Sequence, residues 1–434
     1  MKQAIVVGTG AGGVTVAREL VGRFDVTILE AGGEFQPFAG RLGTYERLRS
    51  TRLLMDPRMI SLLFPSMRVT MTADEMALVR AICTGGTTTL ATGNAVRCDQ
   101  HLRQIGIDLD TEFRVLAQDL PISVAHRERW RPITQELFSA CERLGLEPAV
   151  TPKLVDYSRC CRCGRCVLGC PVGAKWDARQ FLTAATEQGA RLLTGAVVER
   201  VIMEGPSPRQ VRATGVVVRS RGRRRILKAD LVVLAAGGLG TAALLSRSAI
   251  STEERLFVDP VLCVAARLDG CLADCEVPMP FYLEGDGYIV SPYFDHLSFF
   301  FNHAWRRSRH DIVSLMIKLA DSENGRVDSR HVHKSLSERD RQRLRTGVDS
   351  CLEILGACGI DRRTAFLGTL NAGHPGGTLP LTGRERRPLQ PDCLPDNVYV
   401  ADASLLPRAL GKPPILTIMA LARRVAAVCG ERFA

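Results

Sequence analysis

The first thirty residues restrict this chain more than any other stretch. AIVV at positions 4–7 is a short, continuous apolar run, the pattern of a strand buried on both faces. It runs directly into Gly8-Thr9-Gly10-Ala11-Gly12-Gly13, then into VTVAREL with helical character. A second strand at 26–29 ends in Glu30, 22 residues after Gly8. In a strand–turn–helix unit that binds a dinucleotide, each of these residues has a task. Gly8 permits the tight turn, Gly10 lets the backbone approach a pyrophosphate, and Gly13 lets helix and strand pack closely. The phosphates rest on the helix N-terminus and Glu30 bonds a ribose hydroxyl. The fingerprint alone does not separate NAD from FAD.

Further along, LEAGG around Glu30 points to a flavoprotein, and CTGGTTTLATGNAVR at 83–97 has the small side chains that let a backbone press against a flat ligand. LVVLAAGGLGTAALLSR at 231–247 reads as an apolar strand running into a helix. Near the C-terminus, NVYVADASLLPRALGKPPILTIMALARRVA gives a strand, Asp402, a loop and a long closing helix. The nucleotide domain is therefore assembled from both ends of the chain.

Five separated segments, VVGTGAGG…LEAGG, GGTTTLATGNAVR, LAAGGLGTAALL, NAGHPGGT and NVYVADASLLP…TIMALA, together resemble the glucose–methanol–choline (GMC) flavoprotein oxidoreductases. They bracket nearly the whole chain in the right order. The resemblance implies a tightly bound FAD. By position, Gly8, Gly10, Gly13 and Glu30 hold its ADP half. Gly86, Thr87 and Asn94 lie along the flavin, with Ala236 on the same cofactor and Asp402 beside the ribityl–pyrophosphate region. Asp402 is also placed to cap the loop that follows it.

The 434 residues are 46% hydrophobic and 24% charged, which excludes collagen-like, disordered and small disulfide-scaffold classes. The longest apolar runs, such as 229–239, are too short or broken to span a bilayer. A strand that begins almost at Met1 leaves no room for a signal peptide, so a cytoplasmic chain without membrane insertion is expected. The net charge of +11 reads as a basic surface spread over a large domain. Its densest run, RSRGRRR at 219–225, lacks stacking aromatics and reads as a solvated hairpin tip rather than a nucleic-acid site.

Of fifteen cysteines, five lie between 160 and 170, in SRCCRCGRCVLGCPVGAKWDAR. Cys160-x2-Cys163-x2-Cys166-x3-Cys170-Pro171 is the spacing of bacterial ferredoxins, in which thiolates on short loops wrap a small iron–sulfur cubane. A zinc site would want a second Cys or His pair at a distance, and a disulfide knot would want a secreted chain. The cluster is either [4Fe–4S] with Cys170 folding back, or [3Fe–4S] with one position open, the former being preferred; Cys161 is a spare thiol. CVLGCPVGAK is similar to the cysteine-rich segment of bacterial FAD-dependent glucose and fructose dehydrogenases. That implies electrons passing from flavin to cluster to an external acceptor protein or partner subunit.

In the GMC family a histidine takes the hydroxyl proton while hydride passes to the flavin, and His374 in GHPGGT falls on that histidine. A second His or Asn usually follows in the loop before the last helix. Here Pro413 stands there, which reduces the usual pair to one, with Lys412 or Asn371 as candidate substitutes. Nine of the 24 aromatics lie in 281–305, which reads as antiparallel strands of a substrate sheet. His296 and His303 in that stretch read as structural. SLSERDRQRLRTGVDSCLEILGACGI reads as a scaffold helix with a cap-like Ser335.

The expected fold is α/β: a Rossmann-like, p-hydroxybenzoate-hydroxylase-like FAD domain, a mostly antiparallel substrate domain and a small cysteine-rich Fe–S segment. The divisions are 1–150 and 185–260 for the first two parts of the FAD domain, 151–184 for the Fe–S segment, 261–371 for the substrate domain, and 372–434 for the last FAD part with the active-site loops. The expected activity is an FAD- and Fe–S-dependent dehydrogenase acting on a small-molecule CH–OH donor, with electrons leaving through the cluster. Two other readings remain open: a flavoenzyme that reduces or forms a C=C or C=O bond with electrons from the cluster, and a flavin/cluster relay subunit.

Overall fold

The computed structural model describes residues 1–38, 42–44, 46, 60–72, 74–205, 211–328 and 331–434. Five parallel strands form one sheet in the order Val398–Val400, Leu231–Leu234, Gln3–Val7, Asp25–Leu29, Arg191–Leu193. Val6 pairs with Ile28 on one side and Val233 on the other, at the centre of a sheet buried on both faces, as continuous apolar runs require. The first and last strands of the domain are thus nearly four hundred residues apart in sequence and one strand apart in space. A three-stranded antiparallel sheet, Ala196–Glu204, Arg212–Ser220 and Arg223–Lys228, contributes Val198, Val201, Val216 and Val218 to the same core. Its turn lies within the arginine run, and Arg221 to Arg225 are exposed there.

Glycine holds the layers together where no side chain fits. At Gly8 φ is +106°, and a Cβ would sit 2.2 Å from the Ala235 carbonyl oxygen. A Cβ on Gly12 would lie 1.6 Å from the Ala401 carbonyl oxygen, and one on Gly13 2.0 Å from that of Gly8. Helix Ala11–Leu20 can therefore settle onto both its own strand and the C-terminal segment. Closing helix Ile415–Phe433 packs against it, completing the layer.

The second layer is a nine-stranded mixed sheet. Its long strands Pro260–Arg267 and Ile312–Leu319 pair antiparallel, and Asn371–Ala372 joins the edge of the former. Residues 281–305 depart from the strand expectation. Phe281–Gly285 and Tyr288–Pro292 do pair, but His296–Phe301 is a helix. Asp295 caps it, its carboxylate accepting from the Leu297 N–H at 3.0 Å, and that local bond overrides the β-preference of the aromatics. The scaffold helix runs Glu338–Ala357 and is capped by Ser337, not Ser335. Asp340 bonds back to the Ser337 N–H at 2.9 Å in a reciprocal box that Ser335 is two residues too early to make. Among the described residues, no helix is long and apolar enough to cross a membrane.

Gly12→Ala is expected to cost about 3 kcal/mol of stability, because the new methyl meets a backbone oxygen that no rotamer change can move. Gly10→Ala, whose Cβ meets nothing within 4 Å, should unfold like the parent. Urea melts of the two variants compare them directly, and equal losses would refute the packing argument.

Candidate functional site

Two cavities open between the layers and share Thr87, Ala91, Gly373, His374 and Ile415 in their walls. The first, about 300 Å³, is lined by Gly8, Gly10, Glu30, Gly86, Thr87, Ala236 and Asp402. The structure therefore brings together seven residues that the sequence spreads over four hundred positions. Gly13 is not on this wall; it serves the helix–strand packing. Helices Ala11–Leu20 and Gly237–Arg247 both begin here, so their free N–H groups and positive dipole ends face the same space.

The acids are fixed by backbone donors. Glu30 accepts from the Thr9 N–H at 3.1 Å, from the Thr9 hydroxyl, and from the Gly32 N–H at 2.9 Å; burial nonetheless raises its pKa above the usual carboxylate value. Asp402 accepts from Gly237 N–H at 2.9 Å, from the Thr241 hydroxyl and from Ser404 N–H at 2.8 Å, and its pKa too is raised by burial. It caps the short turn Ala403–Leu405 and holds the start of helix Gly237–Arg247, so it shapes the cavity as well as lining it.

The residues fit FAD. The Cβ direction of Gly10 is open, and Glu30 stands at the end of the second strand. Arg80, buried so that its pKa is lowered, keeps its Nε without a hydrogen-bond partner on the cavity wall. Arg80 and Arg247, which also lines this cavity, were not legible in the sequence, where they are two of many arginines.

The second cavity, about 170 Å³, has apolar walls from Phe64, Met67, Val79, Phe300 and Met316. Asn94 lines this one rather than the first; its amide donates to Met279 Sδ at 3.0 Å and its oxygen accepts from Lys153. His374 stands where the cavities meet. Its backbone N–H donates to the Val258 carbonyl at 3.3 Å, while its side-chain Nδ1 is buried with no partner. Burial holds its pKa well below the ordinary histidine value, with Lys318 pushing the same way, so the imidazole is neutral at pH 7. The platform beneath it is anchored by a buried pair. Asp321 accepts from Val258 N–H at 3.1 Å, from Asp259 N–H at 2.8 Å and from Lys334 Nζ at 2.7 Å.

Pro413 lines the second cavity, and neither proposed substitute replaces its missing polar group convincingly. Lys412 turns to Glu284 at 2.6 Å, away from the cavity. Asn371 is on the wall, but its amide is committed to the Thr369 carbonyl at 3.0 Å. A residue not singled out in the sequence does reach the wall: Lys318, 1% exposed, paired with Asp259, whose other oxygen accepts from Gly411 N–H at 3.2 Å. A lone lysine inside IVSLMIKL, a strand otherwise without charge, is the signal that marks it. His296 also lines this cavity. Its Nδ1 lies 3.2 Å from the Phe294 carbonyl, its Nε2 is unpartnered, and burial drives its pKa down to about 4. His303 is exposed at the start of a short turn.

Cys160, Cys161, Cys163, Cys166 and Cys170 line one small cavity closed by Val155, Val172 and Val277. Left-handed backbone at Arg162, Gly164 and Gly169 bends the chain around it. The Lys175 N–H points at Cys170 Sγ at 3.5 Å, and burial pushes the Cys166 thiol up to about 11 against the pull of Lys175 and Lys153. The turn Cys166–Leu168 separates this cavity from the second one, whose wall includes Val167 and Leu168. Among the described residues, Asp274, Cys275 and His310 form the group with ligand atoms within 4.8 Å of one another. Asp274 already accepts from Arg309 at 3.1 Å and pairs with His310 at 2.9 Å, so that group reads as an ion-pair cluster.

Residues 5–269 match the family model for GMC oxidoreductases. An uncharacterized protein of Methanocaldococcus jannaschii is 24% identical over 426 residues, covering 96% of this chain and 97% of its own length. A GMC-type oxidoreductase of Mycobacterium tuberculosis is 27% identical over 98% of this chain and 75% of its own. A long-chain-alcohol oxidase of Arabidopsis thaliana is 21% identical over 96% and 67%. The crystal structure of pyridoxine 4-oxidase from Mesorbium loti superposes with a TM-score of 0.70 at 17% identity, over 98% of this chain and 99% of that one, a likeness of fold. With the family model spanning more than half of its residues, and with both cavities in place, this chain belongs to the GMC oxidoreductase family.

Proposed function

We propose that this chain is a dehydrogenase that oxidises a CH–OH carbon, with His374 as the base and with single electrons leaving through the cysteine segment. The observation that carries this reading is the unpartnered Nδ1 of a neutral His374 at the junction of the two cavities. FAD, the cofactor expected of the family, would be held by Gly8, Gly10, Glu30, Gly86, Thr87, Ala236 and Asp402 and would supply the hydride acceptor. The substrate hydroxyl then lies in the second cavity, where the apolar walls exclude water and His374 accepts the hydroxyl proton. Burial that disfavours imidazolium keeps the base form available at neutral pH. Lys318, a fixed ammonium on the same wall, takes the place of the second polar residue that Pro413 cannot provide, favouring negative charge on the substrate oxygen as its proton leaves. A relative named as a long-chain-alcohol oxidase agrees with a hydroxyl-bearing substrate.

Cys160, Cys163, Cys166 and Cys170 fit an iron–sulfur cluster, [4Fe–4S] ahead of [3Fe–4S], which they would hold and which would supply one-electron transfer to an acceptor protein or partner subunit instead of oxygen. Their spacing, shared cavity and the N–H aimed at Cys170 are the support.

Protein purified without oxygen should show structured flavin absorption over a broad band that bleaches on reduction, with iron and acid-labile sulfide present. Flavin alone in fully loaded protein would remove the cluster from the reading. His374→Ala should keep its FAD and lose roughly 10²–10⁴-fold in the rate of flavin reduction by substrate; a relay subunit would be unaffected. Lys318→Met combined with Asp259→Asn, which leaves no unpaired charge behind, should fold and lower that rate about tenfold or more.

The flavin-reduction rate should stay level from pH 8 to 6, because His374 is depressed below its ordinary value and gains its proton only in stronger acid. A fall centred near 6.5 would contradict this. The same depression sets a stability trend. The unfolded chain binds a proton at His374 near pH 6.5 and the folded chain does not, so this contribution to stability is intact above about 6.5 and declines as pH falls below it.

A further inference from the structure

Two lysines have no part in the proton and hydride chemistry. Lys153 is 0% exposed and Lys175 1%. Lys175 Nζ donates to the carbonyls of Thr88 at 2.8 Å, Thr89 at 3.0 Å and Ala91 at 2.9 Å. Lys153 Nζ donates to Asn94 Oδ1 and to the Pro278 carbonyl. All five acceptors are neutral. Asp177, two residues beyond Lys175, is engaged by Arg179 at 2.9 and 2.8 Å. An ammonium buried without counter-charge is costly and two beside each other add repulsion, so burial pushes the Lys153 pKa down to about 7 and lowers that of Lys175, and only a nearby anion holds both in the charged form. The missing negative charge has one evident source, because Lys175 stands in the wall of the cysteine cavity and Cys166 lies within electrostatic reach of both lysines.

We infer that Lys153 and Lys175 are the counter-cations of an anionic tetrathiolate iron–sulfur cluster on Cys160, Cys163, Cys166 and Cys170, and that they raise its reduction potential while binding its cavity to the flavin-side loop 88–94. The inference rests on the cluster reading proposed above. Four thiolates around a doubly positive four-iron core leave two negative charges, which two ammonium groups match. Adding one electron makes the cluster more negative, so each cation stabilises the reduced form more than the oxidised one. Lys175, on the wall of the cysteine cavity, holds the carbonyls of Thr88 and Ala91, which line the first cavity, and Lys153 holds Asn94 on the wall of the second, so the three cavities are tied together through hydrogen bonds rather than through apolar packing alone.

The test uses full-length protein prepared without oxygen, analysed for iron, zinc and acid-labile sulfide and titrated with dithionite under electron paramagnetic resonance. Lys153→Met and Lys175→Met should each retain iron and sulfide and show a lower cluster midpoint potential, lower again in the double variant. Lys175→Arg, which keeps the charge, should stay at the parent value. Midpoints unchanged in the methionine variants would overturn the inference and leave the cluster standing. Should the methionine variants take up no cluster, Lys175→Arg decides: full cluster at the parent potential supports the counter-cation role, and loss there as well overturns it. Zinc, or no iron and sulfide, in the parent protein would defeat the cluster reading itself.

Discussion

The rest of the molecule depends on one close approach, that of helix Ala11–Leu20 to the carbonyl oxygens of Gly8 and Ala401. At 1.6–2.0 Å from those oxygens there is no room for a Cβ, and only glycine at 12 and 13 lets the helix sit so low. That seat brings the C-terminal segment against the N-terminal strand, puts Asp402 beside Gly237, and turns the starts of two helices toward one cavity. Without it, the residues proposed to hold FAD would remain in separate parts of the chain.

The second cavity is built by the mixed sheet and depends on buried charge. Lys334–Asp321 anchors the backbone that carries the Val258 carbonyl and hence His374. Lys318–Asp259 ties strand Ile312–Leu319 to Gly411, in the loop that ends in Pro413. Such pairs are poor sources of net stability, because desolvation opposes the attraction. Their value here is positional: one fixes the backbone at Val258 and Asp259, and the other fixes the Gly- and Pro-rich loop at 411–414, which would not fix itself. The loss of a polar side chain at Pro413 is then accompanied by an ammonium entering the same wall from a different element.

The cysteine segment is joined to this arrangement through Lys175, whose side chain runs from the wall of the cysteine cavity to the loop carbonyls at 88–91, and through Lys153, which holds Asn94. A hydrophobic contact could hold the two parts together, but it would supply neither charge nor direction. In combination with the turn Cys166–Leu168, which presents Cys166 to one cavity and Val167 and Leu168 to the other, the lysines make the cysteine cavity and the second cavity near neighbours.

The sequence by itself determined the nucleotide-binding unit, because its requirements are local. A strand, a turn that tolerates only glycine and a helix start within fifteen residues can be read from residue types alone, and so can the spacing of the four cysteines. It also placed His374, by resemblance. The tertiary structure decided what depends on residues far apart in the chain. Helix His296–Phe301 was hidden among aromatics that favour strands until Asp295 capped it. Lys318, Arg80, Lys153 and Lys175 became visible only when burial removed their water and left each with a particular partner or with none. A charged side chain in a sequence is solvated by default, and only packing reveals which ones have been taken out of water and for what.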